Sequence, residues 1–285
     1  MTTEISIILP ARNESESLRM LLPELTRLHP EAEIIVVDDA SGDDTENICR
    51  ESGVKVVRHP YNMGNGAAIK TGARNASGEI LVFMDADGQH APEDIKQLLS
   101  KFDDGYKMVV GARDFKAHAS TFRFLGNYIY NRMASFMTGY KISDLTSGFR
   151  AVRAKDFRRF IYLLPNGFSY PTTITMAFFR SSLPVCYVPI KVLGRKGDSH
   201  LNVYKDGIRF FIIILKIGAL FSPMRLFLPV SFAVFITGVS YYLYTYLSIG
   251  RFTNMGALLL LSSLVIFLMG IISEMVSSLH YKDNE

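Results

Sequence analysis

Residues 1–200 of this 285-residue chain predict an α/β domain on a mostly parallel sheet, and the remainder predicts an interfacial helix and two membrane spans. Three observations carry this. Short apolar runs alternate with helical stretches through the first half, the pattern of a parallel sheet covered on both faces. Acidic or polar residues stand at the ends of three of those runs, which in an open α/β sheet form one ligand crevice. Finally, 226–249 and 255–273 contain no charged residue, and each approaches the roughly 20 apolar residues needed to cross a bilayer.

In order, strands are expected at 5–9, 33–37, 54–58, 79–84 and 106–111, each a short apolar run bounded by polar residues. Helices at 15–28, 43–52, 64–76 and 92–102 separate them. Asp43 and Asp44 favour the first turn of one, and Pro92 suits the start of another. A longer helix at 120–138 is rich in aromatics and Met. The pattern then loosens into a short strand near 148–152, helices near 155–163 and 172–182, and a strand at 184–190.

At 204–221, Lys205, Arg209 and Lys216 fall within one narrow arc of a helix that is otherwise mostly Ile, Phe and Leu. That is the pattern of a helix lying in a membrane interface, so 201–224 is read as one. Residues 225–285 then form a two-span hairpin, with spans at about 226–249 and 255–277 and a short tail. Tyr241, Tyr242, Tyr244 and Tyr246 suit a membrane–water boundary. Basic residues gather before the first span, and no signal peptide precedes the first strand, so the N-terminal domain is expected to be cytosolic. Arg251 in the inter-span turn runs against that bias.

Composition limits the alternatives. A net charge of +4 without a dense basic cluster fits a membrane surface or phosphorylated substrates and gives no sign of a nucleic-acid partner. Cys49 and Cys186 lack metal or redox spacing and read as reduced thiols.

The chemistry concentrates at Asp85-Ala-Asp87, on the end of the fourth strand. Carboxylates at i and i+2 of an extended segment face the same way and reach one hard cation, which usually brings a substrate phosphate with it. Gln89 adds a neutral oxygen. Asp38 and Asp39, at another strand end, offer acceptors for a base or ribose. Asn62-Met-Gly-Asn-Gly66 opens a helix but is neither a P-loop nor a dinucleotide fingerprint.

Five motifs, Ile7-Ile-Leu-Pro-Ala-Arg-Asn-Glu14, Val36-Val-Asp-Asp-Ala-Ser-Gly-Asp-Asp-Thr45, Asn62-Met-Gly64, Met84-Asp-Ala-Asp-Gly-Gln-His90 and Asp144-Leu-Thr-Ser-Gly-Phe-Arg150, occur in an order that resembles family 2 glycosyltransferases of GT-A fold. The branch they most resemble transfers sugars to polyprenyl phosphates, and the two C-terminal spans resemble the membrane hairpin of its bacterial and archaeal members. The resemblance implies that Pro10, Arg12, Glu14, Asp38 or Asp39, Gly64 and Ser147 hold or shape the nucleotide-sugar site. It implies that Asp85, Asp87 and Gln89 bind Mg²⁺ or Mn²⁺ at the diphosphate. Arg113, Arg123 and Arg150 become candidates for the acceptor phosphate, and Asp144 for a sugar hydroxyl. A later family motif, Arg followed by Gly-x-Ser-Lys, stands here as Arg195-Lys-Gly-Asp-Ser-His200, with His in place of the final Lys, leaving Arg195 as the better phosphate ligand and Lys196 as the second.

The implied activity is inverting transfer from a nucleotide-sugar, a UDP-sugar before GDP-mannose, to polyprenyl phosphate at the cytosolic face of a bacterial inner membrane. The bilayer is thus a partner, and pairing of span faces into a dimer or tetramer is compatible with the hairpin. Two other readings are another lipid or polysaccharide acceptor, and a non-catalytic membrane scaffold. Against the first, processive polymer synthases carry a Gln-x-x-Arg-Trp motif, and this chain has no Trp. Against the second, the acidic motif and Ser147-Gly-Phe-Arg150 are intact.

Overall fold

The computed structural model describes residues 4–113, 121–167, 169–191, 212, 215–216, 218–251 and 253–282, with backbone alone at 121–127, 249 and 280–282. Two compact units emerge: Met1–Asn131 with Lys141–Leu201, and Arg132–Tyr140 with Asn202–Glu285. The grouping of 132–140 with the C-terminal part differs from a boundary drawn at residue 200.

In the first unit, strands β1 (Ile5–Ala11), β2 (Glu33–Asp38), β3 (Lys55–Arg58), β4 (Ile80–Phe83), β5 (Met108–Arg113), β6 (Arg150–Arg153) and β7 (Val185–Ile190) form one sheet in the order β3-β2-β1-β4-β6-β5-β7. The central strands are buried on both faces, which is why Ile7, Ile8, Leu9 and Val36, Val37 run without alternation. Helices α1 (Ser15–Leu28), α2 (Thr45–Glu51), α3 (Asn65–Asn75) and α4 (Asp94–Leu99) connect the first five strands. α1 buries Leu18, Leu21, Leu22 and Leu25, one stripe at helical spacing, against the sheet core. Further on come α5 (Thr121–Thr138), α6 (Ala154–Arg159) and α7 (Tyr170–Arg180).

Two features of the sheet open the site. β1 pairs with β2 as far as Ala11↔Asp38, but with β4 only as far as Ile8↔Phe83. The sheet therefore splits beyond Phe83, where strand order reverses about β1, and a crevice forms at such a switch point. Pro10, which cannot donate a ladder hydrogen bond, lies past that split. Second, β6 is antiparallel to both β4 and β5, with Arg150 opposite Phe83 and Val110. This reversal brings the turn before β6, residues 144–149, to the same sheet edge as the ends of β4 and β5.

In the second unit, α8 (Pro223–Ile249) and α9 (Asn254–Lys282) pack as an antiparallel pair joined by a short turn. Both are long and apolar enough to cross a membrane, over Pro223–Ser248 and Asn254–Leu279. Ser231 Oγ donates to Ser263 O across the pair at 2.8 Å. Glu274 lies inside the second span, where an isolated charge is costly. Its Oε2 accepts the Met224 N–H at 3.2 Å, serving the first turn of α8, which Ser222 does not cap with its side chain. Arg225 Nη1 donates to Phe136 O at 2.8 Å. The expected interfacial helix at 201–224 lies mostly outside the described residues.

Candidate active site

A cavity of about 600 Å³ opens at the split of the sheet and is lined in part by Pro10, Arg12, Glu14, Asp39, Asp85 and Asp87. Opposite them stand Thr146, Gly148, Tyr170 and Pro171. The volume suits a ligand of nucleotide-sugar size. Strand ends β1, β2 and β4 thus supply one wall, and the turn before β6 with the start of α7 supplies the other.

The loops after β1 and β2 are tied together. Asn13 N donates to Ser41 Oγ at 2.9 Å, and Gly42 N donates to Asn13 Oδ1 at 2.8 Å. Asn13 takes a left-handed φ of 55° here, a conformation Asn tolerates better than most residues. Glu14 N reaches Thr45 Oγ1 at 3.2 Å. These bonds fix where Arg12 and Glu14 emerge.

The two acids after β2 diverge. Asp38 is fully buried; its Oδ1 accepts Ser41 N, and Arg58 Nε lies 3.6 Å from its Oδ2. It shapes the turn from behind the cavity wall. Asp39 lines the cavity and accepts His59 Nδ1 at 2.8 Å, Met63 N at 2.7 Å and Gly64 N at 2.8 Å. Burial alone would raise its carboxyl, but these donors, His59 first, outweigh it and hold the group below its ordinary value. Gly64 has φ +97°, and a Cβ there would meet Asn166 O at 2.6 Å. Its glycine identity answers to the Pro165–Gly167 loop as well as to the cavity.

At the end of β4, Asp85 and Asp87 both face the cavity. Asp87 accepts Gln89 N at 3.1 Å and Gln89 Nε2 at 2.8 Å. Gln89 therefore braces Asp87 with its amide nitrogen, where the sequence reading had it offering an oxygen beside it. Asp85 lies against the backbone of Gly148, where a Cβ would stand 2.8 Å from Asp85 Oδ2. Burial, and then the Asp87 carboxylate, push the Asp85 carboxyl up to about 6.

That shift has a sign. A carboxyl raised from 3.8 to about 6 on folding stabilises the cation-free fold fully below pH ~4 and loses that contribution as pH climbs through 6. Glu33 and Asp43, held down to about 2, change the balance only at lower pH, whereas His90, pushed down to about 4 by burial, works the other way between about 4 and 6.5 in both wild type and variant. Urea unfolding of chelator-treated protein between pH 4.5 and 7 should therefore show a downward contribution that Asp85→Asn removes; an unchanged slope in the variant would refute the assignment.

The turn before β6 is organised by Asp144, 1% exposed, whose oxygens take Arg113 Nε at 2.8 Å and Arg113 Nη2 at 2.9 Å. Arg113 Nη2 also donates to Thr146 Oγ1 at 2.6 Å. Ser147 is buried, its N–H on Asp144 Oδ1.

Arg150 departs from the reading as a phosphate ligand. It is 0% exposed, and its guanidinium donates to Ser147 O, to Pro171 O at 3.1 Å and to Thr175 Oγ1 at 3.1 Å. Where the chain enters β6, Phe149 joins the core cluster on one face of the sheet and Arg150, the first residue of the strand, turns to the other, under α7. It clamps both segments of the second cavity wall and reaches no surface. Arg123 lies in the backbone of α5 with its side chain outside the described residues, and Arg195 also lies outside them.

Tyr170 and Pro171 escaped the sequence reading, which began α7 at Thr172. Proline at the first turn of a helix was the available signal. Tyr170 Oη donates to Gly148 O at 3.2 Å, supporting the backbone that faces Asp85. His59, the partner of Asp39 and Thr71, carried no motif signal.

The profile "Glycosyl transferase family 2" matches residues 6–161, and "GtrB C-terminal hairpin" matches residues 222–279. An uncharacterized protein of Methanocaldococcus jannaschii is 31% identical over 228 residues, covering 75% of this chain and 93% of its own. Undecaprenyl-phosphate 4-deoxy-4-formamido-L-arabinose transferase of Pseudomonas fluorescens is 29% identical over 287 residues, covering 89% and 83%. Among solved structures, glucosyl-3-phosphoglycerate synthase from Mycobacterium tuberculosis, in complex with Mn²⁺, uridine diphosphate and phosphoglyceric acid, superposes with a TM-score of 0.63 at 20% identity, over 76% of this chain and 79% of that one. The sheet and its flanking helices share that GT-A-like fold.

Proposed function

Because the chain belongs to glycosyl transferase family 2, we propose that it transfers a sugar from a nucleotide-sugar, a UDP-sugar before a GDP-sugar, to polyprenyl phosphate at a membrane surface. The observation that carries this reading is the joint presence of a carboxylate pair in a nucleotide-sized crevice and a C-terminal hairpin apolar enough to span a bilayer. The Pseudomonas fluorescens relative is named for an undecaprenyl-phosphate acceptor.

The acidic pair fits a divalent cation. Burial, and then the neighbouring Asp87 carboxylate, keep a proton on Asp85 to about pH 6, and a cation relieves that charge. Among the described residues no third His, Cys, Asp or Glu joins the pair. Mg²⁺ or Mn²⁺ held by Asp85 and Asp87 would therefore keep positions for water and diphosphate oxygens. When bound, it would neutralise charge on the departing diphosphate.

The chain's own residues do the remainder. Arg12, Glu14 and Asp39 border the nucleoside end. Arg113 is the candidate partner of the acceptor phosphate, a role that Arg123 and Arg195 would share. A phosphate monoester has its second pKa near ~6, so its oxygen is largely anionic at neutral pH and no strong base is required. The displacement is in line at the anomeric carbon and inverts it. The harder task is holding two anions together, which arginines perform by paired hydrogen bonds.

The test is transfer of labelled sugar from a panel of UDP- and GDP-sugars to undecaprenyl phosphate, with and without Mn²⁺. Metal-dependent label in the lipid phase from one donor supports the reading; nucleotide binding without lipid product from any donor overturns the acceptor. In this reading the hairpin keeps the enzyme at the membrane surface that presents the lipid headgroup, on the cytosolic side. Deleting the residues after Phe221 should reduce turnover on the long-chain lipid more than on a short soluble analogue. Equal loss on both would refute that positioning role.

A further inference from the structure

Resting on the reading in which Arg113 meets the acceptor phosphate, we infer that Asp144 is a positioning residue that sets the Arg113 guanidinium and touches neither substrate. Its hydrogen-bonding capacity is consumed by protein. Oδ2 accepts the Arg113 backbone N–H at 3.2 Å and Arg113 Nε at 2.8 Å. Oδ1 accepts Arg113 Nη2 at 2.9 Å, Thr146 N at 3.1 Å and Ser147 N at 3.1 Å, with Thr146 Oγ1 at 3.3 Å. An ionised carboxylate offers about four lone-pair sites. Six donors leave no acceptor for a sugar hydroxyl, and the side chain is 1% exposed.

Arg113, by contrast, keeps 32% of its side chain exposed. The fork–fork contact fixes the Nε–Nη2 edge of a planar group, and Thr146 Oγ1, on the cavity wall, holds Nη2 from a second side. The same carboxylate joins the last residue of β5 to the turn before β6. Arg113 is thus ordered beside Thr146 of the cavity wall, and the entropy of fixing a long side chain is spent on folding rather than on binding. A carboxylate aimed at substrate would show spare acceptor capacity on the cavity side; this one shows a saturated pocket behind an arginine.

The test uses the full chain in detergent, with geranyl phosphate as the acceptor probe and UDP or GDP with Mn²⁺ as the donor probe. Calorimetry on wild type, Asp144→Asn, Arg113→Ala and the double variant forms a cycle. Asp144→Asn is expected to weaken geranyl phosphate binding about tenfold and to leave nucleotide binding within about twofold. On the Arg113→Ala background it should weaken binding no further. A full tenfold loss on that background, or an equal loss of nucleotide affinity in a monodisperse protein, would overturn the inference. If Asp144→Asn aggregates on size exclusion, Thr146→Val takes its place in the same cycle with about a threefold loss expected. Wild type that binds nucleotide but not geranyl phosphate would instead remove the acceptor reading, and this inference with it.

Discussion

Replacing Asp87 with alanine is expected to lower sugar transfer about 10³-fold or more while leaving the fold intact. The expectation rests on how little else Asp87 does. It is partly exposed in the cavity, and among the described residues its hydrogen bonds come from Gln89, two residues on. Removing it opens no core void and frees the backbone N–H and side-chain amide of the partly exposed Gln89, a change that costs under about 1 kcal/mol of stability. What disappears is half of the cation-binding pair, and with it charge compensation at the leaving diphosphate. Wild-type nucleotide affinity should rise on adding Mn²⁺, and the variant should show no such rise at an unchanged melting temperature. Transfer at wild-type rates in Asp87→Ala would exclude the carboxylate pair from the reaction.

Substituting Arg150 with alanine should do the opposite, removing the fold before the chemistry. The guanidinium is fully buried and satisfies Ser147 O, Pro171 O and Thr175 Oγ1, so truncation strips Ser147 O of its guanidinium donors in a dry interior and leaves Pro171 O and Thr175 Oγ1 with each other. Each orphaned group costs about 1–3 kcal/mol, and the void adds to that, so a loss of about 3–5 kcal/mol is expected. Arg150→Lys should recover only part of it, since a single ammonium cannot reach two loops in a fork. Urea denaturation measures this directly. A phosphate ligand at position 150 would have given normal stability and a selective loss of acceptor binding; normal stability in Arg150→Ala would restore that role.

Arg150 also shows where sequence reasoning stops. The alternation of strands and helices was legible because the central strands are near-continuous apolar runs and α1 repeats Leu at helical spacing. The crevice was legible because acids end β2 and β4 on one edge. The direction of β6 was not, since a four-residue strand carries no mark of parallel or antiparallel pairing, and that direction turns Arg150 away from solvent. The split between Asp38 and Asp39 was equally hidden. Adjacent, chemically identical residues differ only in which loop their side chains meet, and His59, Met63 and Gly64 come from further along the chain. Gln89 read as a ligand from its spacing, yet the same spacing lets its amide close on Asp87.

The antiparallel insertion of β6 also governs when the site comes into being. Residues 4–90 hold β1 to β4 and both carboxylates, but not the wall that faces them. The Gly148 backbone behind Asp85 takes its place only after Phe83 has found Arg150, far along the chain, and such distant closures are slow. The acidic pair therefore exists as a strand end before it exists as a binding site. A ligand gripping both walls holds the finished protein together by slowing its unfolding and has nothing to hold while the chain is still searching.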